Sequence, residues 1–368
     1  MKASLGASSI QDFIGANTDY IIFYINKFLK KSYTYEDGLG LLQIILEYSS
    51  EDSRNSFYLE TILAGLLQNS TKAKNPDIQK THFKIYHLFL LKILSWRSGV
   101  DQGAKDETEE KILQKWLKIL HHKDEMEIEE IHVEEQEMLN SEKLEEQKGD
   151  DLTSDQLPTE AEVGAEAEAE IETAAEQENL PNYVKLTDEI VRLVSKYISS
   201  KDQTLCLLSL ELLTSGITIL TPYEDKLLPV VHLIWFPLAE KFKSQNPIIL
   251  RQCFNLLCLL AQSSRDFIHK RTISDIIPTI NKFLTEVAKK SHQNSQQGMY
   301  RFSQEFKLIH TILSQYGQLI LDIQIDEKNL DKSINCALRF LEKNQPEELQ
   351  KITLDFCRSL LTYDAPTI

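Results

Sequence analysis

The chain has 368 residues, a formal net charge of −16 and 42% hydrophobic residues, with only 12 Gly and 10 Pro. So few helix breakers, beside abundant Leu, Ile, Lys, Glu and Gln, argue against a turn-rich β protein and against an α/β nucleotide fold. The length allows two or three domains.

The charge is concentrated in one place. Between Asp124 and Glu178 there are 22 Asp and Glu against Lys143 and Lys148, a formal −20, and the rest of the chain sums to −16 + 20 = +4. This stretch holds no Phe, Trp or Tyr. It has too little apolar surface to offset the entropy of ordering it, so it is expected to be a largely disordered tether. The expected organisation is an N-terminal helical block over residues 1–123, an acidic linker over 124–179 and a C-terminal helical block over 180–368.

Met1 to Gly15 is polar and small, without the apolar run of a signal peptide. Tyr20, Ile21, Tyr24, Ile25, Phe28 and Leu29 then recur at three- and four-residue steps and predict an amphipathic helix. Leu39 to Tyr48 follows the Asp37-Gly38 break. Phe57, Leu59, Ile62, Leu63, Leu66 and Leu67 form a third stripe, and Asn75-Pro76-Asp77 opens a fourth helix with Phe83, Tyr86, His87, Leu90 and Leu94 on one face. A fifth is expected from Glu107, running as a solvated helix towards Gln147, before a low-complexity Glu-Ala tract.

Beyond Leu180-Pro181, Val184 to Ile198 reads as a helix, and Asp202 as the cap of the next, Leu205 to Leu220. This second segment comes nearest to membrane-spanning length, but Ser209, Glu211, Thr214 and Ser215 interrupt it, so it reads as a buried helix. Leu227-Leu228-Pro229 and Ile276-Ile277-Pro278 are 49 positions apart (278 − 229), and each opens an apolar helix followed by a turn and a second apolar helix. The second helices run from Pro247 to Gln262 and from about Gln297 to Leu321. A helix pair repeating at this spacing is the signature of HEAT-type units, which stack because one pair cannot cover its own apolar face. A compact irregular bundle is the structural alternative.

No constellation announces catalysis. Glycine-rich phosphate loops and Gly-x-Ser-x-Gly elbows are absent, and the carboxylates of the acidic stretch are exposed and mutually repelling. His121 and His122 precede Asp124 and Glu125, but adjacent residues point to different faces of a helix, so a metal there is the weaker reading. No cofactor is expected. The five cysteines, Cys206, Cys253, Cys258, Cys336 and Cys357, lie mostly in apolar helical patterns and read as reduced core thiols of an intracellular protein. Two small basic patches, Lys27, Lys30 and Lys31 and then Arg265, His269, Lys270 and Arg271, are too limited for nucleic acid beside so acidic a stretch. The second patch suits a protein partner. Thr159 and Thr173, with Glu162 and Glu176 three residues on, would suit an acidophilic kinase if the stretch is a regulated docking tail.

Leu228-Pro-Val-Val-His-Leu-Ile-Trp-Phe-Pro-Leu238 resembles the Leu-Pro-x-x-His-x-x-Trp-x-x-Leu helix in the C-terminal region of the Tel-two-interacting protein one family, the large HEAT-repeat subunit of the TTT complex. His232, Trp235 and Pro237 lie in this match. Asp266-Phe267-Ile268, then Arg271, Asp275, Ile277-Pro278 and Leu284, is similar to the family's next segment, and Tyr300 and Phe306-Lys307-Leu308 to the helix after it. Near the start, Asn17-Thr18-Asp19-Tyr20-Ile21 resembles a family helix opening, Asn-x-Asp-Tyr-Leu. The resemblance runs from about residue 17 to the C-terminus and corresponds to the C-terminal portion of much longer proteins.

The resemblance implies an all-α, HEAT- or armadillo-like solenoid that is not an enzyme. It implies a scaffold that holds the two other TTT subunits and serves as a co-chaperone adaptor. Through the heat-shock chaperone machinery it would support the maturation of phosphatidylinositol-3-kinase-related kinases, and so growth (TOR) signalling and the DNA-damage response. It implies a cytoplasmic location, with the nucleus open, and no nucleic-acid or membrane partner. On this reading Trp235 packs in the core, with an interface anchor as the alternative; Asp266 caps a helix with Phe267 buried behind it; and Pro237 and Pro278 kink their helices. A generic helical-repeat adaptor in transport or trafficking and an enzyme accessory subunit with a metal at His121 and His122 remain the other readings.

Overall fold

The computed structural model describes residues 10–31, 35–48, 53–70, 75–98, 180–294 and 300–361. The acidic stretch, the helix expected from Glu107, and His121 and His122 lie outside the described residues. Residues 19–47, 51–101 and 181–368 form one compact unit; the other, 1–18, 48–50 and 102–180, is described only at 10–18, 48 and 180.

All regular structure among the described residues is helical. The helices are α1 (Ile10–Lys30), α2 (Tyr35–Tyr48), α3 (Ser53–Ser70), α4 (Pro76–Ser98), α5 (Asn182–Ser195), α6 (Gln203–Leu220), α7 (Glu224–Lys241), α8 (Pro247–Ser263), α9 (Arg265–Arg271), α10 (Ile277–Asn294), α11 (Gln304–Ile323), α12 (Glu327–Leu338) and α13 (Glu347–Leu360). Local chemistry sets several starts. Asp202 accepts the backbone N–H groups of Thr204 and Leu205, Asn246 those of Ile248 and Ile249, Ser303 that of Phe306 and Asp326 that of Asn329. Each cap satisfies donors that a helix N-terminus leaves open.

The helices stack in two layers. One layer runs α3, α5, α7, α10, α12, with α9 inserted after α7; the other runs α4, α6, α8, α11, α13. Pair partners are antiparallel. In the α10–α11 pair, Asn281 near the start of α10 accepts a hydrogen bond at 2.9 Å from Tyr316 late in α11, and Lys290 late in α10 lies 3.9 Å from Glu305 at the start of α11. Pairs begin at Asn182, Glu224, Ile277 and Glu327, steps of 42, 53 and 50 residues. These exceed the roughly 34-residue tetratricopeptide unit and lie nearer the roughly 40–47 residues of HEAT units. The protein is an all-α helical-repeat solenoid.

The stack runs from helices before the acidic stretch into helices after it. Lys80 Nζ sits 2.8 Å from Asp202, His87 Nδ1 sits 3.9 Å from Glu211, and Arg97 donates at 3.2 Å to the Ile219 carbonyl. These rungs climb in the same order along both helices, so α4 and α6 are parallel neighbours in one layer. α6 is long and apolar enough to cross a membrane, but 61% of that span is buried, and it packs against α4, α5 and α8 as a core helix. Cys206 and Cys253 are buried, and burial pushes the Cys253 and Cys258 thiols up to about 12, which keeps them protonated and unreactive.

The internal repeat seen at Pro229 and Pro278 is present, with one displacement. α7 begins at Glu224, a turn before Leu227-Leu228-Pro229, and carries both Pro229 and Pro237 inside it. Ahead of Pro278 the chain makes a π-turn, Thr272–Ile276, in which the Ile277 N–H reaches the Thr272 carbonyl five residues back. A proline lacks the N–H for a regular helical bond and its ring crowds the carbonyl four residues earlier. The wider turn removes that conflict and joins α9 to α10 without a loop.

Close approach of α5 and α6 depends on Gly216, where an added Cβ would lie 2.3 Å from Val191 Cγ2. Gly216→Ala is expected to lower stability by about 1–2 kcal/mol, overpacking outweighing the helix-propensity gain of about 1 kcal/mol. Gly65 on α3 faces open space, with nothing within 4 Å of an added Cβ, so Gly65→Ala is expected to stabilise by about 0.5–1 kcal/mol. Urea unfolding of the two variants checks both signs; equal effects would mean that α5 and α6 do not meet so closely.

Candidate protein-interaction surface

The residue pattern of α7 divides it into two faces. Leu227, Val230, Val231, Ile234, Trp235 and Leu238 recur at three- and four-residue steps and are buried. Trp235 is thus a core residue, 6% exposed. The opposite face cannot be buried by the same packing. His232 is exposed there, with Leu233 at 45% and Phe236 at 73% exposure. Pro237, half-buried, removes the N–H that would otherwise bond the Leu233 carbonyl.

The short helix α9 completes this face. Its buried residue is Ile268, which turns Phe267 and Arg271 outward. Phe267 is 37% exposed, not buried behind a capping Asp266. The N-cap position is Ser264, whose hydroxyl donates to the Leu260 carbonyl instead of capping, and Asp266 is exposed in the first turn, where a carboxylate favours the helix dipole. The Phe267 ring meets the His232 ring edge-on, with centroids 6.4 Å apart at 76°, and the Arg271 guanidinium carbon stands 5.5 Å from the Phe267 centroid. Of the basic patch, Arg265, Lys270 and Arg271 are exposed, whereas His269 Nδ1 donates to the Ile323 carbonyl and ties α9 to the end of α11.

Leu233 also lines a cleft of about 580 Å³ formed with α3 and α5, where Leu67 and Leu193 supply the apolar floor and Glu189, Arg192 and Lys196 the charged margin. Arg192 is paired with Asp188 at 2.9 Å, and Lys196 is exposed. The family-motif residues therefore fall in two places. His232, Phe267 and Arg271 come together where α7 meets α9, while Trp235 lies on the buried face of α7. Asn17, Asp19 and Tyr20 are on α1, where Asn17 adopts a non-helical φ of −122° and ψ of 18° and regular helix resumes after it. Tyr20 is 39% exposed, with its hydroxyl 3.3 Å from that of Tyr24. Leu233 and Phe236, the most exposed apolar residues of α7, carry no motif signal, but Phe236 is one helical turn from His232, so the helical register alone places it on the same face.

Elsewhere, Ser70 and His82 meet at 2.7 Å, a contact of the kind that activates a nucleophile, but both are buried and the pair holds α3 to α4. Among the described residues no group of three or more His, Cys, Asp and Glu is placed to hold a metal ion.

A two-layered stack of helix pairs with an exposed apolar and cationic strip on one layer defines a helical-repeat protein of the solenoid class. Residues 63–368 match the family model described as the TTI1 C-terminal TPR domain, and the chain belongs to that family. It is 23% identical over 185 residues to the mouse TELO2-interacting protein 1 homolog and 24% identical over 185 residues to the human one. Each alignment covers 50% of this chain and 17% of the relative, so the chain spans a minor part of the length of these curated relatives. No solved structure matches the chain.

Proposed function

We propose that this chain is a non-catalytic scaffold element of the TTT co-chaperone complex. It holds the two other TTT subunits and thereby supports the maturation of phosphatidylinositol-3-kinase-related kinases with the heat-shock chaperone machinery. The observation that carries the reading is the family match over residues 63–368, which begins within α3 and so takes in the repeats on both sides of the acidic stretch. A solenoid offers an extended surface for protein partners, and the name of the mouse and human relatives states an interaction with TELO2.

The test is co-expression of the full chain with the TELO2-like protein and the third subunit of the same organism, followed by size-exclusion chromatography. The three are expected to co-elute at constant ratio. A folded helical chain that elutes alone would overturn the reading.

A further inference from the structure

The strip across α5, α7 and α9 is more specific than a generic sticky face. Its apolar part is continuous in sequence geometry. Leu193 and Leu67 floor the cleft, Leu233 lines its edge, Phe236 lies one turn further along α7, and His232 carries the surface across to Phe267. Leu233, Phe236 and Phe267 are exposed at 45%, 73% and 37%, a cost in water that a partner's apolar side chains would remove. The charged part has a sign. Exposed Lys196, Arg265, Lys270 and Arg271 stand against exposed Glu189 and Asp266, while Arg192 is neutralised by Asp188 and Glu240 by Lys243 at 2.5 Å.

We propose that this strip receives one amphipathic helix from a partner subunit, its apolar stripe seated on Leu193, Leu233, Phe236 and Phe267 and its flanks rich in Asp and Glu. A helix laid in a shallow groove presents side chains at i, i+3, i+4 and i+7, which suits an anchor in the cleft followed by contacts along α7. Aromatic and Arg side chains are the ones that concentrate binding energy at such surfaces, and Arg271 is already held over the Phe267 ring, so little rotamer freedom is lost on docking. Acidic flanks match the local excess of cations and would speed association. The proposal rests on the assembly role above.

The experiment uses the co-expressed complex with a photo-crosslinking amino acid in place of Phe236, and in a second preparation in place of Phe302, which is 76% exposed on a separate turn. Co-elution is scored before irradiation. The expected result is an adduct from position 236, absent from position 302, that maps to an acidic amphipathic helical segment of one partner. The double variant Lys196→Glu, Arg271→Glu is expected to weaken assembly at least tenfold with an unchanged melting temperature. An intact complex without that adduct overturns the docking and leaves the scaffold reading standing. So does an adduct to a second copy of the chain, to its own residues 124–178, or to a basic segment. Separate elution before irradiation overturns the scaffold reading and the docking with it.

Discussion

Trp235→Ala is expected to destabilise the stack by about 3–5 kcal/mol, whereas Phe236→Ala, the next residue along, leaves stability within about 0.5 kcal/mol. The two side chains are adjacent in sequence and opposite in environment, with Trp235 6% and Phe236 73% exposed. Removing the indole leaves a cavity between α7 and its neighbours α5 and α8, in a repeat stack whose units are stabilised only by the units beside them. Removing the Phe236 ring takes apolar surface out of water and leaves no cavity. Urea unfolding followed by far-UV circular dichroism gives both numbers, and capture of the partner subunits gives the other half of the contrast. Partner capture is expected to fall for Phe236→Ala at full stability. If Trp235→Ala unfolded like the parent and lost partner capture instead, Trp235 would be the interface anchor and the register of α7 would be wrong.

That register shows what a sequence can carry. Three- and four-residue periodicity of apolar residues is a local signal: of the stripe expected in α1, Ile21, Tyr24, Ile25 and Phe28 are buried, while Tyr20 at its edge is 39% exposed. The same signal fails for Phe267. Asp266 and Phe267 look like a cap with a buried aromatic behind it, but Ile268 takes the buried position and the π-turn before Pro278 sets the rotation of the short helix. The sequence signal marked by Pro229 and Pro278 does not extend to the pair α12–α13, because α12 opens on Glu327-Lys328-Asn329 without a Leu- or Ile-Pro step and fully buries only Ser333 and Ala337. The stacking of α4 on α6 is invisible for another reason. Lys80 and Asp202, or Arg97 and Ile219, are more than a hundred residues apart, and a parallel helix contact imposes no spacing that either segment shows alone. The residues of the proposed docking strip are half legible in the sequence: the family motif marks His232, Phe267 and Arg271, but Phe236 is found only once the buried face of α7 is known.

The buried polar cluster of α2, α3 and α4 carries the other large effect, an acid-sensitive contribution to stability. His82 is fully buried; its Nε2 is 2.9 Å from the Tyr35 hydroxyl and its Nδ1 is 2.7 Å from Ser70 Oγ. Ser70 donates its single proton to the Leu66 carbonyl at 2.9 Å and is 2.5 Å from the Tyr86 hydroxyl. With its own proton given to Leu66, Ser70 Oγ accepts from Tyr86 and from His82 Nδ1–H. Burial disfavours a second proton on the ring, so the imidazole is neutral and Nε2 accepts from Tyr35. Burial drives the His82 pKa from 6.5 down to about 4. The unfolded chain therefore takes up a proton that the folded one refuses. The contribution of His82 is fully present above about pH 6.5 and is lost as pH falls towards 4, at about 1.4 kcal/mol per pH unit and about 3 kcal/mol in all. His82→Gln is expected to be less stable than the parent at pH 7.5 by about 1–3 kcal/mol, since a buried acceptor or donor loses its partner. Between pH 6.5 and 4.5, however, its stability should fall by about one proton's worth less than that of the parent. His87, also lowered by burial with Glu211 opposing, is common to both proteins and cancels in the difference. Parallel slopes for parent and variant would show that His82 is charged in the folded state, with Nε2–H donating to the Tyr35 oxygen instead of accepting from it.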